Sequence, residues 1–204
     1  MKFLVLADDK SFDELVSLTS EVNWQRINDI NIFGSAVDTD ACFNLMDDAS
    51  EFDYSQVQKP VFINSVIHSL NEKSHPSNVV RINGWKGFIE RPIWEVSGEF
   101  NEFHQQVMST LNRKYIKLND EAGFISPRVI AMIINEAYYA KAENVSTEKE
   151  IDIAMKLGTN YPKGPFEWSE QIGINNIYAL LKVLGKTDPR YQPCSLLEAE
   201  ALKP

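Results

Sequence analysis

GFISPRVIAMIINEAYYAKAENVSTEKEIDIAMKLGTNYPKGPFEWSEQIG, residues 123–173, is a run of punctuated helices. Pro127 stands where a first helical turn tolerates a missing N–H, and residues 127–143 follow with a strongly apolar helical pattern. Thr147 and Glu150 are spaced as a capping box, which predicts a second helix ending before Gly158, a residue suited to a left-handed stop. Pro165 and Gly173 bracket a third helix. INNIYALLKVLG, residues 174–185, reads as a fourth, closed by Gly185, and Ser195 with Glu198 marks a short last one. From about residue 122 onward the pattern is all-α.

Upstream the texture is different. FLVLA at 3–7 is a short continuous apolar run, the mark of a buried strand in a parallel sheet, and SFDELVSLTS at 11–20 follows with helical spacing. INIFGSAV (30–37) and VFINSVI (61–67) read as further strands, and ACFNLMDD (41–48) as a short connecting helix. NVVRIN (78–83) and PIWEV (92–96) flank a turn, residues 99–112 read as a helix, and YIKLND (115–120) as a last strand. The expected fold class is therefore α/β plus all-α: a reduced Rossmann-like domain over 1–121 and a helical domain over 122–204.

Bulk composition narrows the partners. The 204 residues carry a formal net charge of −9, which disfavours a phosphate backbone, so no nucleic acid is expected. The two cysteines, Cys42 and Cys194, are far apart and lack metal-ligand spacing, so no metal is expected. The opening MKFLVLADD turns acidic too soon for a secretory signal, and no apolar run reaches the ~20 residues of a membrane span. A cytoplasmic protein is expected.

The helical half resembles the C-terminal domain of the L-3-hydroxyacyl-CoA dehydrogenases. The pattern is carried by Gly123, Phe124, Arg128, Asn135, Glu136, Ala137, Asp152, Ala154, Met155, Leu157, Gly158, Tyr161, Pro162, Gly164 and Pro165, with DPRYQP at 188–193 after it. The resemblance implies a domain that pairs with its twin as a homodimer and helps hold an acyl-CoA. It also implies an N-terminal domain that binds NAD through Gly-x-Gly-x-x-Gly, whose glycines allow a tight turn and close approach of the pyrophosphate.

This chain departs from that implication. The three glycine positions hold Ala7, Asp9 and Phe12, with Asp8 between the first two. The domain is also short, as though one strand–helix unit were missing. No NAD is expected to bind in the family manner. In the family a His base is followed twelve residues later by a Glu that orients it. Glu95, in Trp-Glu-Val, matches the Glu, but the His position is Asn83, an amide that cannot take a proton near neutral pH. The family's Asn falls at Pro127. Its Asn-Thr-Ser substrate segment falls at Asn64, Ser65 and Val66, so Asn64 alone keeps a substrate-binding match.

Plainer readings stand beside these. Glu95 could be a structural carboxylate paired with Arg81 or Arg91, in the apolar company of Trp85, Phe88 and Trp94. His68, His75 and His104 read as structural. Asn135 and Glu136 read as a helix–helix contact, and the Tyr161–Pro165 segment as a rigid turn. Lys86, Lys163 and Arg128 could meet CoA phosphates, or simply be solvated. Three functional expectations follow: a degenerate homologue with an acyl-CoA-binding or regulatory role, an active NAD-dependent dehydrogenase of fatty acid metabolism, and a divergent enzyme using Glu95.

Overall fold

The computed structural model describes residues 1–35, 38–47 and 49–203. It divides into two compact units, Met1–Phe124 and Ile125–Pro204. The first is a seven-stranded sheet of β1 (Lys2–Leu6), β2 (Asn23–Ile27), β3 (Ala41–Asn44), β4 (Val61–Asn64), β5 (Val79–Ile82), β6 (Ile93–Gly98) and β7 (Lys114–Lys117). Their order is β2-β1-β3-β4-β5-β6-β7. The first five strands run parallel, β6 is antiparallel to β5, and β7 is parallel to β6.

Parallel strands are buried on both faces, which is why they read as unbroken apolar runs. One face packs Phe3, Val5, Phe43, Phe62 and Val80 against Leu15 of α1 (Asp9–Val16). Val107 and Met108 of α3 (Glu102–Thr110) join the same cluster. The other face packs Leu4, Cys42, Val61, Ile63 and Val79 against Phe33 of α2 (Ile32–Ser35), Ala49, Tyr54 and Val57. On this second face the crossovers are short. Single 3-10 turns at Ala49–Glu51 and Leu70–Glu72 stand between β3 and β4 and between β4 and β5.

One fully buried cation ties the second face together. Arg81 on β5 is 0% exposed. Its Nε lies 2.7 Å from Asp120 Oδ1, and its Nη1 donates to Ser65 O at 3.0 Å and His68 O at 2.9 Å. Its Nη2 donates to Glu121 O, and the guanidinium sits 4.5 Å from the Phe124 ring centroid. Asp120 in turn accepts from Leu70 N and Asn71 N. The segments 65–72 and 120–124 are thus clasped through one side chain where a crossover helix would otherwise cover the sheet.

The second unit holds α4 (Ser126–Ala142), α5 (Glu148–Thr159), α6 (Pro165–Ile172), α7 (Ile174–Gly185) and α8 (Ser195–Ala201). No helix among the described residues is long and apolar enough to cross a membrane.

The structure corrects four expectations. Residues 30–37, expected as a strand, contain the short helix α2, and Ala36 and Val37 lie outside the described residues. Residues 41–48, expected as a helix, contain strand β3, and Asp48 lies outside the described residues. All four β3 residues are buried between β1 and β4, and so short a run carries no period by which to tell strand from helix. Strand β2 was not anticipated because Asn23, Gln25 and Arg26 are exposed polar residues on a sheet edge. Gly158 does not end α5. The helix continues to Thr159, and Asn160 at φ 57° supplies the left-handed stop.

Candidate functional site

In an open α/β sheet, ligands sit beyond the carboxyl ends of the strands where the strand order reverses. Here that point lies between β1 and β3, beside the loop from Ala7 to Asp9. The loop is already filled from within. Asp8 is the N-cap of α1, and its carboxylate accepts from Ser11 N at 2.9 Å. Lys86 Nζ lies 3.1 Å from the other Asp8 oxygen. Burial pushes the Asp8 carboxyl up, but the Ser11 N–H and the Lys86 ammonium outweigh it and hold the group below its ordinary value.

Two more contacts close the same corner. Arg26, near the end of β2, donates from Nη2 to Ala7 O at 2.8 Å and from Nη1 to Asp9 Oδ1 at 2.6 Å. Glu14 on α1 accepts from Gly87 N through both oxygens, at 2.9 and 2.8 Å. Burial raises the Glu14 carboxyl, partly offset by that N–H. Asp29 follows β2, and its Oδ1 accepts from Asn31 N and Nδ2. A pyrophosphate needs free first-turn N–H groups and a turn without side chains. This turn offers a carboxylate already bound to the N–H, so the residues present do not fit a dinucleotide.

The second group lies at the ends of β4 and β5 and the start of β6. Asn83 and Glu95 face each other across the antiparallel pair: Asn83 N donates to Glu95 O at 3.2 Å, and Asn83 Nδ2 donates to Glu95 Oε2 at 2.9 Å. The residues are 5% and 8% exposed. Asn64 ends β4 and lies against Gly84. Three of the residues singled out from the sequence therefore stand together. Val66 is buried nearby, its carbonyl accepting from Gly123 N at 2.7 Å.

Of the arginines near Glu95, Arg81 pairs with Asp120. Arg91 feels the Glu95 charge: burial pulls its guanidinium down while Glu95 and Glu90 pull it back up. Trp94, expected beside the carboxylate, packs with Val96 on the opposite face, because neighbouring strand residues alternate.

None of the three histidines lies in either group. His68 Nδ1 is 2.9 Å from Glu72 Oε2. His75 sits against the Tyr54 ring, and His104 is fully buried with Nε2 3.0 Å from Asn78 O. Burial depresses both His75 and His104. Cys42 and Cys194 are free and buried, and burial pushes the Cys42 thiol up to about 12.

In the helical unit the family-like residues act as fasteners. Asp152 on α5 accepts from Phe166 N at 2.8 Å and Glu167 N at 3.2 Å, so one helix caps the next. Gly164 must lack a side chain, since a Cβ there would fall 2.2 Å from Asp152 Oδ1. Asn135 on α4 donates to Gln192 O at 3.0 Å and accepts from Cys194 N at 2.8 Å, pinning the strand of chain before α8 rather than a neighbouring helix. Pro127, at the family's Asn position, is buried in the first turn of α4. Lys163 Nζ lies 5.9 Å from the Trp168 ring centroid.

Comparison with known proteins follows the same division. Residues 123–203 match the family described as 3-hydroxyacyl-CoA dehydrogenase, C-terminal domain. The chain is 45% identical over 89 residues to a 3-hydroxyadipyl-CoA dehydrogenase of Escherichia coli, a segment covering 43% of this chain and 19% of that protein. It is 39% identical over 89 residues to a probable 3-hydroxybutyryl-CoA dehydrogenase of Bacillus subtilis, covering 43% of this chain and 31% of the relative. The matched segment thus spans less than a third of either relative. Among solved structures, M. tuberculosis FadB2 superposes with a TM-score of 0.75 at 14% identity, covering 97% of this chain and 92% of that one. The (S)-3-hydroxybutyryl-CoA dehydrogenase PaaH1 from Ralstonia eutropha gives 0.70 at 15% identity, over 97% and 92%. At such identities the likeness is one of fold.

Proposed function

We infer that this chain, which belongs through residues 123–203 to the 3-hydroxyacyl-CoA dehydrogenase family, is a non-dehydrogenase homologue that binds an acyl-CoA without oxidising it. The observation that carries this reading is the Asn83–Glu95 pair. Glu95 is placed to orient a base, and its partner is an amide held at 2.9 Å. An amide neither accepts nor stores a proton near neutral pH. Losing a general base alone lowers rate by ~10²–10⁴-fold. The Asp8 carboxylate on the first turn of α1 supports the same conclusion for the cofactor, since it occupies the N–H that would meet a phosphate. Asn64 and Glu95 remain as binding and positioning groups.

A second copy of the chain is the partner we assign to the helical unit. Ile153 and Leu157 project from α5 one turn apart, 42% and 83% exposed, and Tyr161 continues beyond them. Sedimentation should give twice the chain mass, and Leu157→Glu should return it to the monomer. A native chain that sediments as a monomer would remove this assignment.

The deciding experiment is calorimetric titration of the purified chain, first with NADH and then with acetoacetyl-CoA. Heat from the CoA ester and none from NADH is the expected result. Micromolar NADH binding, with NADH consumed when acetoacetyl-CoA is added, would establish an active dehydrogenase and overturn the reading.

A further inference from the structure

The sheet face left open by the short crossovers carries a hollow. Between β4 and β5 the chain makes only the 3-10 turn Leu70–Glu72, so no crossover helix covers the start of β5. The space is a cavity of about 560 Å³, within the size range of small-molecule sites. Val79 and Ser97 line it from the sheet, and both are buried. Its rim includes Asn71, Lys73, Ser74 and Glu99, all exposed. It lies at the other end of β5 from Asn83: Gly98, which lines it, pairs with Val80, whereas Asn83 follows Ile82.

Two polar groups in its wall lack partners. Ser97 is 0% exposed, and its Oγ has no hydrogen-bond partner among the described residues. His75 Nε2 is likewise buried without one. Ser97 pairs across the ladder with Arg81, so its side chain shares that residue's face of the sheet. Buried polar atoms are almost always paired, so a hydroxyl and an imidazole nitrogen left open beside one cavity mark a place for hydrogen-bonding groups from outside the chain. The fold gains nothing from them as they stand, because an unpartnered buried hydroxyl is a cost to stability.

The rest of the lining sets the charge of the ligand. Asp120 is already held by Arg81 Nε at 2.7 Å and by Leu70 N and Asn71 N at 3.1 and 2.9 Å. Lys73 Nζ contacts Glu51. An anion would meet Asp120 and Glu99, and a cation would meet Lys73. An uncharged ligand breaks none of these pairs. Hydroxyl groups both donate and accept, so they satisfy Ser97 Oγ and either tautomer of His75. Leu70, Val79 and Leu118 offer apolar wall to a carbon skeleton.

We propose that this cavity binds an uncharged, hydroxyl-rich small molecule of pentose or hexose size, with Ser97 and His75 as its buried hydrogen-bonding groups. The site is separate from the Asn83–Glu95 group and independent of the CoA-ester reading. No bond forms or breaks in it.

The test titrates the isotope-labelled full chain with D-ribose and with D-glucose, read by amide NMR shifts. Inorganic phosphate and putrescine are run separately as anion and cation. At least one sugar should shift amides within 71–77 and 97–99 to saturation, with a half-point of about 1–10 mM. Phosphate and putrescine should not saturate there. Ser97→Ala should weaken the sugar about fivefold. It should leave urea stability unchanged or raised, since it deletes an unpaired hydroxyl, whereas a serine serving the fold would lose stability. His75→Phe keeps a ring against Tyr54 and should also weaken the sugar. Failure of both sugars to saturate, as when water alone fills the hollow, would overturn the site. So would tighter binding of phosphate or putrescine at the same amides, or a Ser97→Ala chain that binds the sugar as the native chain does. The titrations of the native chain decide the matter even where a variant fails to fold.

Discussion

The helical unit and the sheet unit keep different parts of the same inheritance. In the helical unit the residues that carry the family likeness are fasteners: Asp152 caps α6, Gly164 makes room for that carboxylate, and Asn135 holds residues 192–194. Their chemistry is spent on one another. In the sheet unit the likeness to solved structures is one of fold, and the turn after β1 and the end of β5 hold Asp8, Asp9 and Asn83. Strong likeness in the helical unit therefore speaks to folding, and only the sheet unit speaks to chemistry. A fold can be kept by burying apolar strands of the right length, whereas a phosphate turn or a proton relay depends on single residues.

That contrast can be broken at its strongest points. The largest effect is expected in the sheet unit, where Arg81→Met removes the buried cation paired with Asp120 along with donors to Ser65, His68 and Glu121. Breaking a buried pair in this way costs about 3–5 kcal/mol. Urea unfolding should report it, and a loss near zero would mean that the clasp does not hold the 65–72 and 120–124 segments. In the helical unit, Asp152→Ala should cost about 1–3 kcal/mol, because two helix N–H groups lose their acceptor. Gly164→Ala should also destabilise, since its Cβ would strike the Asp152 carboxylate. The double variant should cost less than the two losses combined, the signature of residues that share one contact. Strict additivity would show that the two residues are not coupled.

Much of this was legible in the sequence, for identifiable reasons. The helices of the second unit announce themselves by long apolar periods, by the Thr147–Glu150 capping box and by Pro165 at a first turn. Runs such as FLVLA and VVRI read as strands because both sheet faces are covered. The failures share a different cause. Strand β3 and helix α2 are four residues each, too short for any period to show. The Asn83–Glu95 bond follows from strand pairing and was foreseeable from the spacing of the two residues. The Arg81–Asp120 bond closes across β6, α3 and β7, and nothing local in the sequence indicates it. The roles of Lys86 and Arg26 on the Asp8–Asp9 turn were invisible for the same reason: they arrive from the turn after β5 and from β2.

The smallest effect, and the most specific to the sheet unit, is on pH dependence. His104 is fully buried, its ring stacked 5.4 Å from Phe100 and edge-on to Phe62 at 5.3 Å. Burial lowers its pKa below the ordinary 6.5, with Asn78 O pulling partly the other way. In the unfolded chain the imidazole protonates near ~6.5, while the folded chain resists it to lower pH. The unfolded state then binds more protons, so stability is complete above that pH and falls as pH drops through the window between the two pKa values. The slope in that window is at most about 1.4 kcal/mol per pH unit for one group. His75 shifts in the same direction through burial and Lys73, so both histidines contribute. His104→Gln retains a donor for Asn78 O and removes the titration. Urea unfolding at successive pH values should therefore show a shallower fall below about pH 6.5 in the variant than in the native chain. An unchanged fall would assign the titration to His75, at the edge of the sheet unit's second face, rather than to the aromatic cluster around His104.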